Sequence, residues 1–533
     1  MGCKTILFGL DGATYTILDP LMASGDMPNL KRFMERGVRA TLGSTPNPLT
    51  PPAWTTMITG CLPGRHGVFD FIQPVESDDG FYFKLTDSRD VQCDSAWTIL
   101  SNQGFTSASL NFVLTFPPRP FRGLLVPGWV SGRHMRRAVQ PPELFDELKA
   151  LPGFSLKEVA WDLDMEKKAI QDVDPEEYEP WIECHLCRQQ QWAAILLHVL
   201  QNYSCDLIAF VDDGPDKLQH LAWPYLDPSC FPREPSERDL RIRELCRAYF
   251  QSLDRLLGEV IAHAGRDARI FIASDHGFCG TRKIFYINEW LREHGYLRWR
   301  EDAPTNESED IAASRMKTQY EMLDWSATQA YSPTPSCCGI YIRQAGGARK
   351  AGIRPDTYEA FRRKLASELL AYRDPDTCQP VVRGVMFRDD AFPGPYLNLA
   401  PDLTLQLHDH SFPSVVKSNL VTRDRKAVTG THHPDGILLA AGEGIRKGAQ
   451  VERCSIQDVC PALLYSAGAK IPAGLDGVLP EHLFESGFLE CHPPVFTSRT
   501  PFLTAAASVG SAAPDDEETA DLVARLKAMG YIE

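Results

Sequence analysis

Apolar runs that end in acidic or histidine-bearing turns recur along the chain. The first, in "KTILFGLDG", is continuous rather than alternating, the pattern of a strand covered on both faces, and it stops at Asp11 and Gly12. "CDLIAFVDDGPD" at 205–216 and "RIFIASDHG" at 269–277 repeat the pattern, and "DGILLAAGEG" at 435–444 supplies a fourth strand. Helical spacing fills the gaps. "MPNLKRFMERG" puts Leu30, Phe33 and Met34 on one helix face and is stopped near Gly37, and residues 182–202 and 238–264 keep the same period. Strands alternating with helices predict an α/β fold with a mostly parallel central sheet and helices on both faces. Ligands of such sheets collect at the carboxyl ends of the strands. Asp11, Asp216, Asp275 and His276 all fall there.

Other segments are less regular. Residues 71–95 and 130–180 are rich in loops and charge, and 300–330 and 340–395 mix helix and loop. They read as insertions, about 71–180 and 295–425, forming a cap on a catalytic domain that spans 1–490. The stretch 492–515 is rich in Pro, Ser and Ala and reads as a linker. "DDEETADLVARLKAMGYIE" reads as a helix with acids at its start and Lys527 in its last turn, so that 491–533 form a linker and C-terminal helix.

Composition narrows the functional classes. Of 533 residues, 43% are hydrophobic and 23% charged, ordinary for a soluble globular protein. A formal charge of −15 argues against nucleic-acid binding, which needs clustered Lys and Arg. The one basic knot, "GRHMRRA" at 132–138, reads as a solvated surface loop. The apolar run after Lys4 is too short for a signal peptide, and "MGCKTI" lacks the Ser/Thr of a myristoylation site. No stretch approaches the roughly 20 apolar residues of a membrane span. The expectation is a cytoplasmic protein without a membrane partner, whose odd number of cysteines, 15, are mostly reduced. "CHLC" at 184–187 has metal-pair spacing but no second pair, and reads as a helix face. Oligomeric state is left open.

The chemistry lies in the strand-end residues taken together. They are Asp11, Asp216 with His220 four residues on, the adjacent Asp275 and His276, and "GTHHPDG" with His432 and His433. Carboxylates and imidazoles are standard zinc ligands, and Asp and His at i and i+4 share a helix face. Singly, each piece has an ordinary reading as a cap, a turn or a solvated helix face. Jointly, three Asp, three His and one hydroxyl suffice for two metal ions of the kind that clamp the attacking and leaving oxygens at phosphorus.

"ILFGLDG", "PNPLTPPAWTTMITGCLPGRHG", "GPDKLQH", "IASDHGF" and "GTHHPDGILLAAG" occur in the order expected of the alkaline phosphatase superfamily, and most resemble its type I phosphodiesterase/nucleotide pyrophosphatase branch. "SIQDVCPALLYSAGAKIPAGLDG" at 455–477 is similar to that superfamily's closing segment and "LKAMGYIE" to a frequent tail. The resemblance implies an alkaline-phosphatase-like three-layer sandwich and a hydrolase of small-molecule phosphoesters. It also implies two divalent ions, zinc or alternatively manganese. One is held by Asp11, Asp275, His276 and the Thr50 hydroxyl, the other by Asp216, His220 and His432, which fits the "G-x-H" position better than His433 does.

The second motif holds two candidate nucleophiles. Cys61 opens C-x-P-x-R, which looks like the sulfatase cysteine signature, whereas Thr50 stands in plain T-P-P-A-W. In sulfatases the cysteine lies well upstream of a "T-G-x-x-P-x-x-H-G" element. Here that element is "TGCLPGRHG" at 59–67, so Cys61 falls inside it and Thr50 takes the nucleophile place. A threonine hydroxyl is a weak nucleophile that metal coordination activates, and its attack on phosphorus leads to a phospho-threonine.

The resemblance breaks after "H-G". The branch usually places there an Asn that contacts phosphate, and this chain has Asp70 and Phe71. Asn111 in "LNFVLTFPPRP" is the substitute candidate for substrate binding, and Trp54, Phe71 and Trp223 are candidates for an apolar leaving-group wall. The alternatives are a phosphomonoesterase, a phosphotransferase or mutase on the same core, and a non-catalytic metal-stabilised binding protein.

Overall fold

The computed structural model describes residues 5–500 apart from 78–79, 161–176, 266, 304, 306–321, 346–351 and 499, with the side chains of 75–83 also outside the description. The expected C-terminal helix, and the linker beyond residue 500, lie outside the described residues.

The opening apolar run forms β1 (Thr5–Leu10), buried along its whole length. It sits mid-sheet, parallel to β7 (Leu207–Asp212) on one side and to β8 (Arg269–Ala273) on the other. Beyond β7 come β5 (Ser107–Leu110) and β6 (Gly123–Val126), both parallel. Beyond β8 come β15 (Asp435–Ala441), antiparallel to both its neighbours, then β2 (Val38–Gly43), which also pairs with β16 (Ala449–Gln450) and β17 (Cys454–Ser455). The result is the expected mostly parallel sheet, here of nine strands.

Strand side chains alternate between faces, and this sorts the core into two layers. Ile6, Phe8 and Leu10 pack with the helices Tyr178–Asn202, Gly214–Leu226 and Glu237–Ala264. Leu7 packs on the opposite face with the helices Thr50–Thr59 and Val459–Ser466. Sheet and two helical layers make the three-layer sandwich.

A second lobe grows from the carboxyl edge. A two-stranded antiparallel ribbon of β9 (Gly277–Phe285) and β14 (Thr422–His433) leads into it. It has its own four-stranded sheet, β10 (Ala330–Tyr331), β11 (Gly339–Ile342), β13 (Leu403–Leu407) and β12 (Val382–Phe387), and its own apolar core around Trp290, Ile340, Leu365 and Leu403. Ile72, from the hairpin of β3 (Ile72–Ser77) and β4 (Gly80–Leu85), joins that core.

The expected first insertion, 71–180, differs in its middle, because β5 and β6 belong to the central sheet. "SASL" and "GLLV" are four residues each, too short to stand out as buried runs in a polar surround. "GRHMRRA" is a helix, Gly132–Ala138, rather than a loop. His134 and Met135 are buried and Arg136 and Arg137 face out. Cys184 and Cys187 lie on the helix Tyr178–Asn202. Among the described residues no helix is long and apolar enough to cross a membrane.

One contact ties this packing to the strand-end residues. A Cβ at Gly9 would lie 2.6 Å from the Trp54 ring, so only glycine lets the helix Thr50–Thr59 seat on β1. Trp54 is itself buried and makes an edge contact with Phe112, ring centres 5.5 Å apart. A Gly9→Ala variant is expected to lose about 1–3 kcal/mol through overpacking. The measurement is the calorimetric unfolding midpoint, and an unchanged midpoint would show that Trp54 yields freely.

Candidate metal centre

Each predicted strand end delivers its residue to one point. Asp11 follows β1, and its N–H prolongs the strand pairing by donating to Asp212 O at 3.0 Å. Gly12 then turns the chain with φ +65°, a region open to glycine. A Cβ there would also stand 3.2 Å from the Asp216 Cα, so the close packing of the first and third motifs is eased by the absence of one at residue 12. The Gly12 N–H donates to Asp275 Oδ1 at 3.1 Å, and its carbonyl accepts from Gln219 Nε2 at 2.8 Å.

Asp216 and His220 share a face of the helix Gly214–Leu226, which opens with Pro215 in its first turn. Asp275 and His276 lie between β8 and β9, and His432 enters from β14 directly opposite Phe278. The donor atoms of Asp216, His220 and His432 all lie within 4.8 Å of one another, as do those of Asp11, Asp275 and His276. The two groups adjoin. His276 Nε2 is 3.5 Å from Asp11 Oδ1, 3.3 Å from Asp275 Oδ2 and 3.9 Å from Asp216 Oδ1, and the His276 and His432 rings stack at 3.6 Å.

Thr50 opens its helix and places Oγ1 3.4 Å from His276 Nε2. Pro51 and Pro52 follow it without backbone N–H groups, yet the positive end of the helix dipole still lies at Thr50, which favours negative charge there. Trp54, one turn on, donates to Asp11 Oδ2 at 3.2 Å and ties the threonine helix to the first motif. His66 of the "TG…HG" element supports the same helix. It is buried, 2.9 Å from Thr56 Oγ1 and accepting from Val68 N, and burial pushes its pKa down to about 3.

The donor set is short of protons. His432 Nδ1 lies 2.8 Å from Pro48 O and His276 Nδ1 lies 3.1 Å from Gly277 O. Carbonyls only accept, so both rings carry their proton on Nδ1 and present a bare Nε2 to the centre. The 3.1 Å approach of His432 Nε2 to Asp216 Oδ1 therefore brings lone pairs together, with His220 Nε2 3.0 Å from the same nitrogen. Asp11 Oδ1, Asp216 Oδ1 and Asp275 Oδ2 are buried without a hydrogen-bond donor. Such a cluster calls for cations, and carboxylate oxygens with imidazole nitrogens are the donors zinc takes.

Titration behaviour agrees. Burial, then repulsion from Asp275 and Asp216, holds the Asp11 carboxyl well above the usual range. Burial does the same for Asp275, outweighing the Gly12 N–H, with Asp216 adding to the rise. Burial opposes ionisation of Asp216 too, but His220 and Lys217 hold it well below. Burial keeps His276 and His432 neutral at ordinary pH, their pKa values pushed down.

Several expectations separate here. His433 points away from the cluster, accepting from Asp435 N at 3.0 Å and packing against His410, so His432 is the histidine brought to the centre. Cys61 is fully buried, its N–H donating to Thr59 Oγ1 at 3.2 Å, and it does not join the group. Asn111 stays apart as well. Its amide donates to Val211 O at 2.9 Å, within a buried polar cluster that includes His185, Arg188 and Asp213. Of the three aromatics, Trp54 and Trp223 are core residues, and only Phe71 is half-buried, stacked on Trp129 at 5.3 Å. Lys217 was not foreseen. Its amine is buried 3.8 Å from Asp216 Oδ2 and 4.9 Å over the Trp129 ring, whereas a lysine in a helical pattern ordinarily signals a solvated face.

The family model described as type I phosphodiesterase / nucleotide pyrophosphatase matches residues 5–435. Phosphonoacetate hydrolase from Sinorhizobium meliloti 1021, solved with phosphonoformate, is similar over 87% of this chain and 95% of its own, at 15% identity and a TM-score of 0.50. Human ectonucleotide pyrophosphatase / phosphodiesterase 5 is similar over 91% of this chain and 100% of its own, at 13% identity and a TM-score of 0.50. At such identities the likeness carries the fold alone. No curated protein sequence matches the chain.

The raised Asp11 and Asp275 carboxyls set a pH dependence. Folding favours their protonated forms, so the ion-free protein loses stability as pH rises through the raised values. A divalent cation removes that penalty without displacing protons once the acids are ionised. The rise in melting temperature on adding Zn²⁺ or Mn²⁺ to the stripped protein is therefore expected to be larger at about pH 8 than at about pH 5. Equal rises at both would contradict the assignment.

Proposed function

The chain belongs to the type I phosphodiesterase / nucleotide pyrophosphatase family of the alkaline phosphatase superfamily, and from that premise we propose a phosphodiesterase or pyrophosphatase that works through Thr50. The family makes it a metal-dependent phosphoester hydrolase. The finer reading is that Asp11, Asp275, His276 and Thr50 hold one divalent ion and Asp216, His220 and His432 the other, with zinc favoured by the mixed Asp/His donors. The observation that carries it is the adjoining of two Asp/His donor groups beside a single hydroxyl, Thr50 Oγ1, which lies 3.4 Å from His276 Nε2 of one of them.

When bound, the ions supply a lowered hydroxyl pKa at Thr50 and charge neutralisation at the phosphoryl oxygens. The chain's own part is positional. The helix Thr50–Thr59, held on β1 by Trp54, aims Oγ1 at the centre with the dipole's positive end behind it. Thr50 Oγ1 gives up its proton to solvent and bonds to phosphorus as the P–O bond to the ester oxygen breaks, the leaving oxygen taking the electron pair and a proton from solvent. Water then adds to the phospho-threonine, the P–Oγ1 bond breaks and the hydroxyl is restored. Burial of His276 and His432 keeps both imidazoles neutral and Nε2 available through the cycle.

Asp70, which stands where the branch has its Asn, does not count against a diester in this reading. Its carboxylate accepts from Thr334 Oγ1 at 2.7 Å, Ser336 Oγ at 2.8 Å and Phe71 N at 2.6 Å, so it is engaged with protein groups. In this reading the lobe beyond the β9/β14 ribbon caps the centre, and the substrate is a small molecule.

The test compares variants on bis(4-nitrophenyl) phosphate and 4-nitrophenyl phosphate, with metal content measured alongside. Thr50→Ala is expected to lower kcat/KM on the diester by on the order of 10³-fold or more while both ions remain. Cys61→Ser is expected to leave turnover nearly intact. Full activity in Thr50→Ala with intact metals would overturn the mechanism, and a preference for the monoester would overturn the substrate reading.

A further inference from the structure

The loop that presents Thr50 is gripped from two sides. On one side Pro48 O faces His432 Nδ1 at 2.8 Å. On the other, Asn47 Nδ2 donates to Ser336 O at 2.8 Å, and Ser336 belongs to the second lobe. The lobe segment concerned, "SPTPSCC" at 332–338, is buried except for the half-buried Ser336 and Cys338. Pro333 and Pro335 give it two residues without an N–H, so little backbone pairing can fix it. Side chains do so instead. Asn288 holds Ser332 through two bonds, to its O at 3.1 Å and from its N at 2.9 Å, and Asp70 holds Thr334 and Ser336.

Asp70 is an expensive residue for that position. It is 5% exposed, no cation is among the groups that set its titration, and burial pushes its pKa up to about 6. Its neighbours strengthen the same contact. Phe69 packs edge-on against Phe392 of the lobe with ring centres 5.4 Å apart, and Tyr396 N donates to Gly64 O at 2.9 Å. Phe71, the next residue, stacks on Trp129, whose ring underlies Lys217 beside Asp216. Residues 64–71 are thus the seat of the lobe, and Asp70 joins that seat to the lobe segment, which in turn reaches the Thr50 loop through Ser336.

We propose that Asp70 is a positioning residue for phosphoester hydrolysis: its carboxylate clamps the 332–338 segment of the second lobe onto the loop that presents Thr50, and so sets the width of the substrate cleft. The proposal rests on the reading of Thr50 as the nucleophile. A clamp of this kind acts on where the substrate sits rather than on the chemical step, because Asp70 touches neither Thr50 nor the donor groups.

The experiment uses the metal-loaded protein and bis(4-nitrophenyl) phosphate, with Asp70→Ala, Asp70→Asn and the double variant Thr334→Val/Ser336→Ala. Asp70→Ala is expected to raise KM about tenfold with kcat little changed. The double variant is expected to do the same, and combining it with Asp70→Ala to add little, since contacting partners do not act additively. Asp70→Asn, which keeps an acceptor of the same shape, is expected to recover most of the loss. Amide hydrogen exchange at Gly339–Ile342 should quicken in Asp70→Ala with metal content unchanged. Unchanged KM and exchange in Asp70→Ala, or strictly additive effects, would overturn the clamp. Should Thr50→Ala keep its turnover, the nucleophile reading falls on that result alone, while the exchange data still decide the clamp.

Discussion

Everything at the carboxyl edge of the sheet answers to one electrostatic constraint. Three carboxyl groups and three imidazoles are clustered together, all buried but the half-buried His220, with few hydrogen-bond donors among them. A charge in so dry a place needs a partner, and here the side chains offer mostly acceptors. Cations are the remaining solution, and the surrounding structure is arranged to keep the acceptors pointed at them. The carbonyls of Pro48 and Gly277 fix the imidazole tautomers, Trp54 and the Gly12 N–H each hold one carboxylate oxygen, and the opposite oxygen of Asp11 and of Asp275 is left facing inward.

The fold supplies this arrangement because the centre forms where its layers meet. β1, β7 and β8 run parallel and end side by side, so residues after each strand become neighbours. The helix bearing Asp216 and His220 packs on one face and the helix bearing Thr50 on the other. His432 arrives by the ribbon that also carries the second lobe. Disturbing the lobe's seat therefore reaches the Thr50 loop, whereas disturbing the far, amino-terminal edge of the sheet need not.

Cys61 and Thr50 illustrate how local sequence misleads and how register corrects it. Both stand in one turn-rich stretch and the cysteine has the more suggestive surroundings. The helix Thr50–Thr59 separates them by nearly three turns, leaving the hydroxyl at the end that faces the centre and the thiol fully buried beyond the other end. The same logic divides His432 from His433, since adjacent residues of a strand face opposite sides.

The amino-acid sequence by itself determined the sheet's buried strands, the order of the motifs and the identity of the clustered Asp and His residues. Apolar runs ending in polar turns are a local signal, strong enough to survive without knowledge of what packs against them. Tertiary structure alone decided the rest. β5 and β6 are too short to be read without their neighbours in the sheet. Lys217 looks solvated until Trp129 is laid beneath it. In the chain Asp70 only marks a departure from the Asn of the branch; its partners Thr334 and Ser336 lie more than 260 positions away and close over its carboxylate in the fold. Contacts of that separation leave no periodicity in the chain, because they depend on where two independently folded surfaces come to rest.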